Sequence, residues 1–229
     1  MAGRLNQGVQ VNKSRTIPLG LPTILSMLCL TLLSACGLSR GTYEPMRSYV
    51  LEIKEGGEVP STGRPRPKNL PSLLVAIPQP APGFESQRMA YELVPHELQY
   101  FATSQWVDSP AHMLAPLMTK ALATSEVWDS VIQLPSVIRG DYRLEISQVA
   151  LVQEFIQQPS RVRLTLQAQL ATVDDPQVIG TRSFEFQEEA PSENAYGGVQ
   201  AAHNVVRQFL RELSHWLASC LKNGPLSRC

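Results

Sequence analysis

Between residues 161 and 170 apolar and polar side chains alternate with a period of two. Val162, Leu164, Leu166, Ala168 and Leu170 interleave with Arg161, Arg163, Thr165, Gln167 and Gln169. This is the pattern of a strand with one buried and one wet face. Asp174-Asp175-Pro176 turns the chain, and Val178 to Phe186 returns with Phe184 and Phe186 inward. Upstream, Tyr142, Leu144 and Ile146 oppose Arg143, Glu145 and Ser147. Shorter strands are predicted at Tyr49–Ile53, Leu73–Ile77, Met89–Leu93, Leu98–Thr103 and Val127–Leu134. The third and fourth of these join as a hairpin through Val94-Pro95-His96-Glu97.

Two stretches change to the helical period. Met113, Leu114, Leu117, Met118, Ala121 and Leu122 form one apolar stripe, with Asp108 or Ser109 as cap and Pro110 in the first turn. From Ser192 to Leu221 the stripe is Val199, Ala202, Val206, Phe209, Leu213, Trp216 and Leu217, and Asn223-Gly224-Pro225 stops the helix. The expected fold is α+β: a single domain with an antiparallel-rich sheet and two amphipathic helices packed on one face.

The N-terminus has a different pattern. Lys13 and Arg15 precede an apolar run of 17 residues, Ile17 to Leu33, which ends in Leu33-Ser34-Ala35-Cys36. A basic region, a short apolar region and small residues at a cleavage point make a secretory signal. With cysteine next, the stretch resembles a bacterial lipobox, in which the thiol receives a diacylglycerol and the chain is cut just before it. Seventeen residues containing Pro18 and Pro22 are at the lower limit for a membrane-spanning helix. The expected division is a signal peptide at 1–35, a tether at 36–48, a domain at 49–221 and a tail at 222–229. Gly37 after the cysteine, where aspartate favours inner-membrane retention in enteric-type bacteria, points to the outer membrane, with the domain facing the periplasm. Acyl chains of palmitate type at Cys36 would anchor it firmly, each buried methylene contributing ~0.8 kcal/mol.

Charge adds only exclusions. The chain has 20 basic and 20 acidic residues; removing Arg4, Lys13 and Arg15 leaves 17 against 20. Without a basic run there is no footprint for nucleic acid, nor a polybasic patch for anionic lipid. Cys220 and Cys229 remain as thiols that could pair in an oxidising compartment or stay free at the C-terminus.

The search for chemistry returns little. His96, His112, His203 and His215 have no paired spacing, and H-E-x-x-H, C-x-x-C, G-x-S-x-G and glycine-rich phosphate loops are missing. No metal or cofactor is expected. Asp174-Asp175 and Glu188-Glu189 read as turn and strand-end charges. Trp106 with Asp108 reads first as a packed loop-to-helix corner and second as a partner contact, since tryptophans are favoured anchors. The Gly/Pro-rich stretch Gly56–Pro71 is long for a connection within a domain, and such loops are often functional.

These features in this order resemble the auxiliary lipoproteins of ABC-type transport systems, the group that accompanies mammalian-cell-entry (MCE) lipid-transport proteins and includes the paraquat-inducible lipoprotein. The resemblance is carried by the lipobox, Tyr49-Val50-Leu51, Leu73–Ile77, Tyr91-Glu92-Leu93 and Leu98-Gln99-Tyr100-Phe101. It continues through Trp106-Val107-Asp108-Ser109-Pro110, Tyr142-Arg143-Leu144 and Gly198-Val199-Gln200-Ala201-Ala202-His203-Asn204. Where the family commonly has arginine or asparagine before the tryptophan, this chain has Gln105. The resemblance implies a subunit without enzymatic activity at the outer-membrane end of an assembly of permease, ATPase and MCE protein. Trp106, Asp108 and Tyr100 are its candidate partner contacts, and a homo-oligomer is compatible with it. The alternative is an envelope-assembly lipoprotein serving outer-membrane proteins or the lipopolysaccharide machinery. Cys36→Ala, or globomycin treatment, should leave an uncleaved precursor on an immunoblot; a cleaved, membrane-bound mutant would refute the lipobox.

Overall fold

The elements run in the order β1 (Arg47–Tyr49), β2 (Ser72–Val75), β3 (Arg88–Glu92), β4 (Leu98–Trp106), α1 (Pro110–Ala123), β5 (Ser130–Gln133), β6 (Tyr142–Glu154), β7 (Arg161–Thr172), β8 (Val178–Glu189) and α2 (Ala195–Asn223). The computed structural model describes residues 44–53, 69–223 and 229. The chain divides into two compact units, Met1–Glu44 and Pro45–Cys229, and all of these elements belong to the second.

All eight strands among the described residues join one sheet, with β6 as its axis. Along one edge β6 pairs antiparallel with β7, from Tyr142↔Thr172 to Glu154↔Arg161. Its other edge is shared. β2 lies parallel to its first residues, Leu73↔Tyr142 to Val75↔Leu144, and β3 lies parallel to its last, Ala90↔Val152 to Glu92↔Glu154. Between them the chain keeps to β6: Ala76 N–H donates to Leu144 O, Gln79 N–H to Ile146 O and Ala81 N–H to Val149 O, each at 2.9 Å. Pro78, Pro80 and Pro82 alternate with the donors at 79 and 81, so they fall where an N–H would point away from β6. Proline removes that donor and keeps the outward side of the segment from pairing.

Four of the seven strand pairings are parallel, namely β1–β4, β2–β5, β2–β6 and β3–β6, so the sheet is mixed. This corrects the expectation of an antiparallel-rich sheet, while the α+β class and the two helices stand. The meander β6–β7–β8 and the β3–β4 hairpin are antiparallel as their short connections require. The parallel pairs join segments far apart in sequence. Alternation tells which face of a strand is buried but not which strand lies beside it. Boundaries move slightly: β1 starts and ends earlier than Tyr49–Ile53, and β6 continues past Ser147 through a bulge at Gln148, whose φ is 56°.

Both helices cover the same face. α1 packs on β2, β5 and β6, α2 packs on β7 and β8, and the two touch each other. Ser109 caps α1, its Oγ accepting from His112 N–H at 3.3 Å, and Pro110 follows in the first turn. Asn194 caps α2, its Oδ1 accepting from Gly197 N–H at 2.9 Å, so the helix begins three residues after Ser192. Leu114, Met118 and Leu122 of α1 join Leu144, Ile146, Leu164, Leu166 and the whole stripe of α2 in one core. Phe209 stands edge-on to Phe184, with ring centres 5.7 Å apart, and Phe184 in turn stands edge-on to Trp216 at 6.1 Å. Phe209→Ala should therefore destabilise the domain by about 3–5 kcal/mol in denaturant unfolding. Gln200→Ala, on the outer face of the same helix, should change it by less than about 0.5 kcal/mol.

Candidate functional site

The residues that the sequence singles out are dispersed. Trp106 is the last residue of β4, where Tyr49 of β1 pairs with it, and it is only 3% exposed. An interface anchor must present its ring to a partner, so the expected contact role of Trp106 is corrected: the indole is a core residue. Asp108 is exposed beyond the strand end. Its Oδ1 accepts from Ser109 N–H at 2.6 Å and lies 3.3 Å from His112 Nδ1. Tyr100 is half-buried six residues earlier; its hydroxyl donates to Gly83 O at 2.8 Å and the Arg88 guanidinium lies 3.8 Å over its ring. Trp106, Asp108 and Tyr100 thus form no common site. Cys36 and residues 56–68 of the Gly/Pro-rich stretch lie outside the described residues. Cys220 and Cys229 form a disulfide.

Asp108, Ser109 and His112 contain the side chains of a hydrolase triad, but their bonds are those of a helix start. The serine hydroxyl is engaged with the backbone N–H of residue 112, and the histidine and aspartate form an exposed pair. Among the described residues no group of three His, Cys, Asp or Glu side chains could hold a metal.

Two polar nodes were not legible as sites. At the start of the sheet, Asp141 Oδ2 accepts from both the N–H and the hydroxyl of Ser72, each at 2.7 Å, locking β2 to the entry of β6. The backbone bond from Ser72, then its hydroxyl, hold the Asp141 carboxyl below its ordinary pKa against the opposing effect of burial. At the other end Gln153 is 3% exposed on the core face of β6. Its Nε2 donates to Ser160 Oγ at 3.0 Å and to Asn194 O at 3.3 Å, while its Oε1 accepts no hydrogen bond. That oxygen lies where a Cβ on residue 198 would stand, so Gly198 is what admits it. The adjoining cavity, about 10 Å³, holds nothing larger than a water. A glutamine at an inward position of β6 and a glycine opening α2 were the available signals.

Two larger open clefts lie among the described residues. One, about 540 Å³, runs between edge strand β8 and α2, lined by Arg182, Phe184, Phe186, Arg211, Glu212 and His215; an Arg182–Glu212 ion pair of 3.3 Å crosses it. The other, about 680 Å³, lies by the C-terminal end of α2 beside Leu70, Asp141, Tyr142, Leu221 and Lys222. Both are open to solvent.

The described residues thus form a small α+β domain with open surface clefts and a core-facing polar node. The family model of the ABC-type transport auxiliary lipoprotein component matches residues 49–214, and the chain belongs to that family. The resemblance read from the sequence is therefore shown. A Xanthomonas campestris protein of the DUF330 family shares the fold, with a TM-score of 0.62 and 24% identity over 69% of this chain and 90% of that one. An uncharacterised protein of solved structure does so with a TM-score of 0.56 and 9% identity, covering 76% of this chain and 99% of the other. No curated protein sequence matches the chain.

The Asp141 node has a testable pH signature. A depressed folded pKa contributes stability above the unfolded carboxyl value of about 3.9 and loses it as pH falls through the folded value. Asp141→Asn should lower Tm at pH 7, and the gap to the unmodified protein should close as the pH is taken below about 4. A gap that persists in acid would mean that the charge of Asp141 contributes nothing.

Proposed function

We propose that this protein is the outer-membrane-anchored, periplasm-facing auxiliary subunit of an ABC/MCE-type lipid transport system, and that it works by contact with other proteins. The observation that carries this reading is the family match over residues 49–214, nearly the whole domain downstream of the tether. The lipobox-like Leu33-Ser34-Ala35-Cys36 followed by Gly37 supports lipidation at Cys36 and sorting to the outer membrane. A tether of 13 residues from Cys36 to Tyr49 spans at most ~45 Å, so the subunit works close to its own membrane and its partner must reach it there. This suits the far end of a bridge whose permease and ATPase sit in the other membrane.

In this role the domain needs no reactive group. With Trp106 in the core, contact falls to exposed surface, and the cleft between β8 and α2 offers rings, both charges and an open strand edge together. Crosslinking in intact cells, followed by purification through a tag on the full-length protein, should recover the MCE-domain protein together with the permease and ATPase. Recovery of outer-membrane assembly or lipopolysaccharide-export proteins in their place would overturn the reading. So would hydrolysis of lipid or peptidoglycan by the purified protein.

A further inference from the structure

One end of the sheet carries an apolar rim that the core does not use. In register across the strands, Glu92, Leu98, Glu154, Arg161 and Glu189 form its last row. Beyond that row the β3–β4 turn presents Leu93 (51% exposed) and Val94 (54%), and the β6–β7 turn presents Ile156 (48%). The turns are bonded side by side, since Phe155 N–H donates to Glu92 O at 2.8 Å. Beneath them Tyr91, Phe101 and Phe155 make a half-buried aromatic base, with ring centres 4.7, 6.0 and 6.3 Å apart. The tips therefore stand on packed rings.

The N-terminal end of β1 points toward this same end. β1 runs parallel to β4, Arg47 pairing with Ser104 and Tyr49 with Trp106, so Arg47 is the end of β1 nearer Leu98 and the rim. Leu98 is six residues from Ser104, about 20 Å along a strand. Cys36 lies eleven residues before Arg47, a reach of at most about 40 Å. The lipid-bearing residue can thus lie level with the rim, and the domain cannot be held far from the surface in which the lipid is inserted.

We propose that Leu93, Val94 and Ile156 dip into the membrane that anchors the protein, so that the domain stands on the lipid surface with its β3–β4 and β6–β7 turns down. This rests on the lipid anchor at Cys36. The occupant is a zwitterionic phospholipid surface. No basic cluster stands at the rim: Arg163 is held by Glu154 at 2.6 Å and lies 4.0 Å from Glu92, Arg161 pairs with Glu189 at 3.0 Å, and Glu97 is acidic. Contact by apolar side chains without basic residues is driven by burial and is insensitive to salt. Standing this way also fixes the domain's orientation, with the β7–β8 turn and the entry to β6 pointing away from the membrane.

The test uses the full, lipid-modified chain, in which the disulfide and the acylated Cys36 leave a newly introduced cysteine as the single free thiol. Leu93→Cys, Ile156→Cys and Val137→Cys are each labelled with a polarity-sensitive fluorophore and reconstituted into phosphatidylcholine/phosphatidylethanolamine vesicles. Val137 is fully exposed in the connection that enters β6 at Tyr142, twelve residues from the rim. Quenchers on lipid acyl chains should quench positions 93 and 156 about threefold or more above position 137, as expected of side chains about 5–10 Å deep, and raising salt should not change this. Equal, weak quenching at all three positions in protein whose mass confirms the diacylglyceryl group overturns the dipping rim and leaves the anchor standing. A mature protein without that group overturns the anchor itself. Strong quenching at position 137 alone would mean that the domain stands the other way up.

Discussion

The structure depends on β6 having both of its edges in use along its whole length. β7 takes one edge as a hairpin partner; β2, the proline-rich segment after it and β3 take the other in succession. A strand bonded on both sides must be specified on both, and here the two specifications differ in kind. The hairpin side is set by a short turn and matched alternation. The parallel side is set at its start by the Asp141–Ser72 lock, and through its middle by prolines that leave Gln79 and Ala81 to bond inward.

The buried Gln153 gives the far end of β6 a matching constraint. Its amide joins β6 to Ser160 at the start of β7 and to Asn194 at the head of α2, and Glu193 accepts from Ser160 N–H at 2.9 Å. Helix, hairpin and axis strand therefore meet at polar groups that pair with one another in a single arrangement. An apolar residue at position 153 would pack there and leave the Ser160 hydroxyl and the Asn194 carbonyl without that donor. Gly198 belongs to the same constraint, since a side chain there would occupy the place of the glutamine oxygen.

Much of the fold was legible in the sequence and its pairing was not. The alternation from Val162 to Leu170 named the inner face of β7, and the stripe from Val199 to Leu217 named that of α2; both are buried as read. In β6 the reading stopped at Ser147 because the extra residue at Gln148 shifts the parity, moving inward positions from Ile146 to Val149 and Leu151. Parallel neighbours leave no local trace, which is why the sheet read as antiparallel-rich. Trp106 read first as a packed corner and second as an anchor; the structure keeps the first, with the indole in the core among residues such as Met89, Val162 and Ala202 that lie far from it in sequence. Gln153 escaped notice because a lone polar residue in a strand reads as solvent-facing until the strands on either side are known.

The bridge between Cys220 and Cys229 reaches beyond the two sulfurs. It carries residue 229 from the end of α2 across to the outer side of β8, where its N–H donates to Ile179 O at 3.2 Å and its side chain lies against Gly180. An open strand edge invites pairing with another chain. Here Cys229 occupies the first rung of that edge, tied by its sulfur to the end of α2. One covalent bond between two side chains thus covers backbone on a strand that neither cysteine belongs to.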